Sequence, residues 1–133
     1  MKKLYIDIDG VLLTKKRTTA ANFAIQFIDF VTSHFDCYWL TTHCKGSINY
    51  SLSYLAKHFD KATLDKLRKI KPTNWTTLKT EAIDFSSDFL WLDDSPFVSE
   101  INVLTSHSSN NKLIVVDLSN QDELKRIMAI LKT

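Results

Sequence analysis

Four short, nearly continuous apolar runs divide the chain: Leu4-Tyr5-Ile6, Cys37-Tyr38-Trp39-Leu40, Phe89-Leu90-Trp91-Leu92 and Leu113-Ile114-Val115-Val116. Each is too short for a helix and rich in aromatic or β-branched residues. Each is apolar at every position, the pattern of a strand buried on both faces. Between the runs, apolar residues recur three or four positions apart. Phe23, Phe27, Phe30 and Val31 predict a helix that ends near a surface-lying His34 and is capped by Thr18 or Thr19. Ile48, Leu52, Leu55 and Phe59 predict a second helix. Leu64, Leu67 and Ile70 fit a short third, although a parallel sheet would also welcome a strand there, and Lys71-Pro72 ends the element. Residues 74–85 read as a helix, or as a loop with a short helix. Phe97, Ile101 and Leu104 predict another short helix. The last helix buries Leu124, Ile127, Met128 and Leu131, with Ser119 and Asp122 spaced as a capping box. Strands alternating with helices predict an α/β fold: a three-layer, Rossmann-like parallel sheet with helices on both faces.

Composition narrows this picture without redirecting it. A chain of 133 residues is expected to form one domain, residues 1–133. The 44% hydrophobic and 24% charged fractions are those of an ordinary globular protein, and a net charge of +2 neither favours nor excludes a nucleic-acid partner. No apolar run approaches a membrane span, and the N-terminus enters its strand without a signal-peptide pattern; the expectation is a cytoplasmic protein with no membrane partner. Cys37 and Cys44 lack zinc spacing and read as reduced thiols. The basic stretch Thr14-Lys15-Lys16-Arg17-Thr18-Thr19 is either solvated surface or the neighbour of an anionic substrate.

Chemistry enters at the strand ends. Asp7 and Asp9 interrupt the first apolar run, and alternate strand residues share a face, so both acids can address one small volume. Gly10 permits a sharp turn and close backbone approach. Like charges this close call for a cation, and hard carboxylate oxygens suit Mg²⁺. An EF-hand loop would need a glutamate where Thr18 stands, and metal-dependent glycosyltransferases with a D-x-D are usually much longer chains. The second run ends in Thr41-Thr42-His43 and the third in Asp93-Asp94. In open parallel sheets ligands bind beyond the carboxyl ends of the strands, which brings these groups to one edge.

The order D-x-D-G-V, a strand ending in Thr, a lysine, and a strand ending in Asp-Asp resembles the haloacid-dehalogenase-like (HAD) hydrolases, over residues 4–96. The likeness is greatest to small members without a sizeable cap domain, among them HAD domains of RNA-repair proteins and some nucleotide or polynucleotide phosphatases. The resemblance implies a Mg²⁺-dependent phosphatase acting on a phosphate monoester, a small molecule or a nucleic-acid end. It implies Asp7 as nucleophile and Asp9 as general acid and base. Thr41, with Thr42, and either Lys79 or Lys71 would hold the phosphoryl oxygens, Lys79 being preferred for its apolar flanks. Asp94, together with Asp93, would complete a metal site with Asp7 and the Asp9 backbone carbonyl. A receiver-type phosphoacceptor domain is disfavoured because its lysine follows its other motifs. The rival readings are a non-catalytic phosphate- or nucleotide-binding module and one component of an RNA-processing assembly.

Overall fold

The computed structural model describes residues 1–43 and 46–133. Cys44 and Lys45 lie outside the described residues, and with them the reading of Cys44 as a reduced thiol and of Lys45 as part of a strand-to-helix turn. The four apolar runs form strands β1 (Lys3–Ile6), β2 (Asp36–Trp39), β3 (Phe89–Asp93) and β4 (Leu113–Val115). The described residues also form five α-helices: α1 (Ala24–His34), α2 (Ile48–Leu55), α3 (Lys61–Leu67), α4 (Val98–Ser106) and α5 (Glu123–Leu131). All strand pairs are parallel, in the order β2-β1-β3-β4.

Side-chain alternation sorts the strands onto two cores. Leu4 and Ile6, Cys37 and Trp39, and Leu92 face a core shared with Phe27, Ile28 and Val31 of α1, Leu52 and Leu55 of α2, Leu67 of α3, and Leu124 and Ile127 of α5. Tyr5, Phe89 and Trp91 face the opposite side, where Ile83 and Leu104 of α4 cover them. Burying one large apolar side chain contributes about 1.5–3 kcal/mol, so the two clusters hold the sheet from both faces. α1 connects β1 to β2 on one face, whereas α4 connects β3 to β4 on the other. Crossovers of the usual right hand that run in opposite directions are expected to put their helices on opposite faces in this way. The strand order therefore reverses between β1 and β3, and a crevice opens beyond their carboxyl ends.

Two local expectations are corrected, and one alternative is settled. Neither Thr18 nor Thr19 caps α1; the N-cap is Phe23, in a left-handed conformation with φ 66° and no side-chain cap bond. The threonines are engaged elsewhere. Thr14 N–H donates to the Thr19 carbonyl (2.8 Å), the two hydroxyls lie 3.0 Å apart, and Leu13 bridges antiparallel to Ala20. Ser119 and Asp122 form no capping box either; Asp122 is the N-cap of α5 without a side-chain bond, and the Ser119 hydroxyl donates to Asp117 instead (2.6 Å). The segment from Asp60 to Ile70 forms the short helix that its spacing predicted, α3 (Lys61–Leu67), capped by Asp60, whose carboxylate accepts from Thr63 N–H (3.1 Å). Its strand character is limited to one parallel bridge, Lys71 against Tyr38 beside β2. Among the described residues no helix is long and apolar enough to cross a membrane.

Candidate active site

The first crevice wall grows out of β1. Asp7 follows Ile6 and its backbone N–H still donates to the Leu92 carbonyl of β3 (3.2 Å), so its side chain enters a packed environment and is only 8% exposed. After Asp7 the chain folds tightly: the N–H groups of Val11, Leu12 and Leu13 all donate to the Ile8 carbonyl. Gly10 makes this turn with φ 82°. A Cβ there would collide with the Asp94 carboxyl, so the missing side chain is the space Asp94 occupies.

The second wall is the end of β3. Asp93 is its last residue, 1% exposed, and its Oδ1 accepts from Ser95 N–H (2.9 Å). Lys79 reaches in between: its Nζ donates to Asp7 Oδ2 (3.0 Å) and to Asp93 Oδ2 (2.7 Å). Asp7, Asp93 and Asp94 each offer a carboxylate oxygen, and these atoms lie within 4.8 Å of one another. Asp94 is also paired with Lys15 (2.8 Å).

Lys79 owes its position to two glutamates. Glu81 accepts from the N–H groups of Thr76 (3.0 Å), Thr77 (3.2 Å) and Leu78 (2.8 Å), which turns the chain into a 3-10 segment, Lys79–Ala82. Buried Glu100 of α4 accepts from Lys79 N–H (2.8 Å) with one oxygen and from Phe97 N–H (2.8 Å) with the other. Lys71 lies elsewhere: it is exposed and pairs with Asp36 (2.9 Å).

Burial pushes the Asp7 carboxyl up to about 6; Lys79 opposes the shift and Asp93 adds to it. Burial works against the charge of Lys79, but Asp7 and Asp93 outweigh it and hold the ammonium protonated. Asp9 stands apart from this cluster. Its Oδ1 accepts from Tyr54 Oη (2.7 Å) and its Oδ2 lies 2.9 Å from His43 Nε2. The His43 and Tyr54 rings stack with centroids 3.9 Å apart. Burial, together with the bond to Asp9, pushes the Tyr54 hydroxyl up to about 12, so it stays a proton donor. Thr41 is buried at the end of β2 and accepts a long bond from His43 N–H (3.4 Å). Exposed Thr42 lines, with Thr41, Asn74, Trp75 and Thr76, a cavity of about 410 Å³.

Asp7, Asp93 and Asp94 thus form one cluster, with Lys79 bridging Asp7 and Asp93, while Asp9 is engaged with the α2 side of the crevice. His43, Tyr54 and Glu100 escaped the reading of the sequence. His43 could have been found from its place two residues beyond Thr41. Tyr54 and Glu100 sit inside helices whose apolar spacing says nothing of polar partners far along the chain.

Gly10→Ala is expected to dislodge Asp94 while keeping the sheet. The added methyl meets the Asp94 carboxyl, and a left-handed non-glycine residue adds a cost on the order of 1 kcal/mol. Circular dichroism should show a folded variant; if the acids take up the Mg²⁺ expected from the sequence, a melting curve with and without Mg²⁺ should show a smaller metal-dependent rise than wild type. An undiminished rise would mean that Asp94 holds no metal.

No protein-family model, curated protein or solved structure matches this chain.

Proposed function

We propose that the protein is a Mg²⁺-dependent phosphomonoester hydrolase that works through an aspartyl-phosphate at Asp7. One observation carries the reading: carboxylate oxygens of Asp7, Asp93 and Asp94 converge within 4.8 Å of one another at the crevice where the strand order reverses, Lys79 bridging Asp7 and Asp93 and Lys15 holding Asp94. A purely structural ion pair would need one carboxylate. Three carboxylates with two lysines leave an acidic surplus, and an all-oxygen donor set suits Mg²⁺ rather than a softer metal. The room kept for the Asp94 carboxyl at Gly10 supports the same fit. Asp7, Asp93 and Asp94 would hold the ion, with the Asp9 carbonyl as a further oxygen. When bound, the ion neutralises these acids and a phosphoryl oxygen.

The chain's own residues divide the remaining work. An Asp7 oxygen attacks phosphorus as the bond to the leaving oxygen breaks, and Asp9 supplies the proton that the leaving oxygen takes up. Water then attacks phosphorus, its proton passes to Asp9, and Asp7 is released as carboxylate. Lys79 stabilises charge on the phosphoryl oxygens, which is most of what phosphoryl transfer asks of a protein. Thr41 and Thr42, at the end of the neighbouring strand, would bind the same group. Tyr54 and His43 fix both oxygens of Asp9 and so orient the acid–base group.

Hydrolysis of a panel of phosphate esters, with and without Mg²⁺, tests the reading directly. Mg²⁺-dependent release of phosphate is expected; a protein that binds phosphate esters but turns none over is the non-catalytic module instead. Asp9→Asn should slow turnover ~10²-fold or more, the usual worth of general acid–base catalysis. Its Mg²⁺ affinity, measured by calorimetry, should hardly change, since only a backbone carbonyl of that residue serves the metal. A collapse of affinity would move Asp9 from proton transfer to metal binding.

A further inference from the structure

A cavity of about 650 Å³ opens beside the acidic cluster, between the loop of residues 14–19 and the chain leaving β4, and reaches the cluster at Gly10 and Asp94. One wall is basic, formed by Lys15, Lys16 and Arg17. The loop that presents them is built, not slack: Thr14 and Thr19 are joined by three bonds, and Thr18 N–H closes onto the Thr14 carbonyl (2.9 Å). Lys15 is anchored on Asp94, whereas Lys16 and Arg17 are exposed and form no ion pair among the described residues. The opposite wall is apolar, with Val116, Leu118 and a half-exposed Val115 at the end of the edge strand. Its one acid, Asp117, is occupied by Ser119 N–H (3.0 Å) and the Ser119 hydroxyl (2.6 Å). Two unneutralised cations facing an apolar wall suit a ligand with an anionic group and an apolar ring. The cavity lined by Thr41, Thr42, Asn74, Trp75 and Thr76 shows no cation among the described residues.

Resting on the phosphatase reading above, we infer that this cavity takes the leaving group, and that the substrate is a phosphomonoester whose leaving group carries an apolar ring and a second phosphate. The scissile phosphate lies at Asp7 and Lys79, and the second phosphate meets Lys16 and Arg17. A free nucleoside bisphosphate and the phosphorylated end of a strand share this chemistry.

The test compares kcat/KM for adenosine 3′,5′-bisphosphate, adenosine 5′-monophosphate and a 5′-phosphorylated diadenylate, in Mg²⁺. A preference of about tenfold for one or both of the substrates with a second phosphate over the monophosphate is expected, the scale of two exposed charge pairs. The better of those two identifies the source. The preference should shrink with added salt, disappear in Lys16→Ala/Arg17→Ala, and persist in Trp75→Ala. Equal kcat/KM for all three substrates overturns the inference, as does a preference that Trp75→Ala removes and the double variant keeps. If wild type hydrolyses no phosphate ester, the phosphatase reading fails by itself. Calorimetric titration of adenosine 3′,5′-bisphosphate into Asp7→Asn then judges the cavity alone. Binding that Lys16→Ala/Arg17→Ala weakens about tenfold sustains it; absent binding, or an unchanged Kd, overturns it.

Discussion

Asp7→Asn is expected to abolish Mg²⁺-dependent phosphate release and, in metal-free buffer above pH 6, to make the protein more stable than wild type. The first effect follows from the nucleophile: an amide oxygen of nearly the same shape cannot form the acyl phosphate. The second follows from burial. In the folded chain the Asp7 carboxyl titrates at about 6 rather than 3.8, so the folded state holds this proton more tightly than the unfolded state does. Its favourable contribution to folding is complete below the unfolded pKa. It is lost as pH rises through about 6, and the buried charge that remains is a burden. Asparagine carries no such charge. The melting-temperature difference, variant minus wild type, should therefore grow between pH 5 and pH 7.5, by about 3–6 °C on the scale of one or two kcal/mol. Adding Mg²⁺ should raise wild type by mass action and the variant much less. Normal turnover in pure Asp7→Asn would sink the covalent mechanism, and a difference that stays flat with pH would sink the account of burial.

Lys79→Ala should be the second severe variant, and Lys71→Ala a mild one. Lys79 is enclosed and bridges two buried acids, whereas Lys71 makes a single pair with more than half of its side chain in water. Removing one partner from a buried pair costs on the order of 3 kcal/mol because the remaining charge is stranded. An exposed pair is worth about 0–1 kcal/mol. Without the ammonium, Asp7 and Asp93 oppose each other directly, and the Asp7 carboxyl, whose upward shift Lys79 holds in check, keeps its proton to higher pH. The stability lost by Lys79→Ala should then recover as pH falls from 7.5 to 5.5, while Lys71→Ala should show no such recovery. Turnover should drop by ~10²–10³-fold for Lys79→Ala, the range for deleting one preorganised charge-stabilising group, and by less than about twofold for Lys71→Ala. Side-by-side kinetics and melts decide it; the reverse ranking would hand the phosphate-anchoring role to Lys71.

The strands were legible because a strand buried on both faces has no freedom in composition. Leu4-Tyr5-Ile6 and Phe89-Leu90-Trp91-Leu92 can be little else, and they pair in register in the centre of the sheet. The meeting of Asp7 with Asp93 and Asp94 was legible for the same reason, since parallel strands must end at one edge. Helix starts were less so. Thr18, Thr19, Ser119 and Asp122 all have the right chemistry for a cap, but short polar side chains bond to whichever backbone comes near. Here the Thr14–Thr19 closure claimed the Thr19 hydroxyl and the Asp117–Ser119 turn claimed that of Ser119. The bonds of Tyr54 and His43 to Asp9 were not legible at all, because they join the chain across 45 and 34 residues and depend on how α2 leans over the sheet.

The reversal of strand order between β1 and β3 also governs when the site comes into being. β1 and β2 can pair after a short excursion through α1, but β3 reaches β1 only once the whole intervening chain has collapsed. The Lys79–Asp7 contact alone closes a loop across 72 residues. Contacts of such separation form late, because the entropy of closing the loop is spent before they return anything. The carboxylates therefore do not meet during the early steps of folding, and their mutual repulsion cannot slow those steps. It falls instead on the finished molecule, where it shortens the lifetime of the native state rather than lengthening the time taken to reach it.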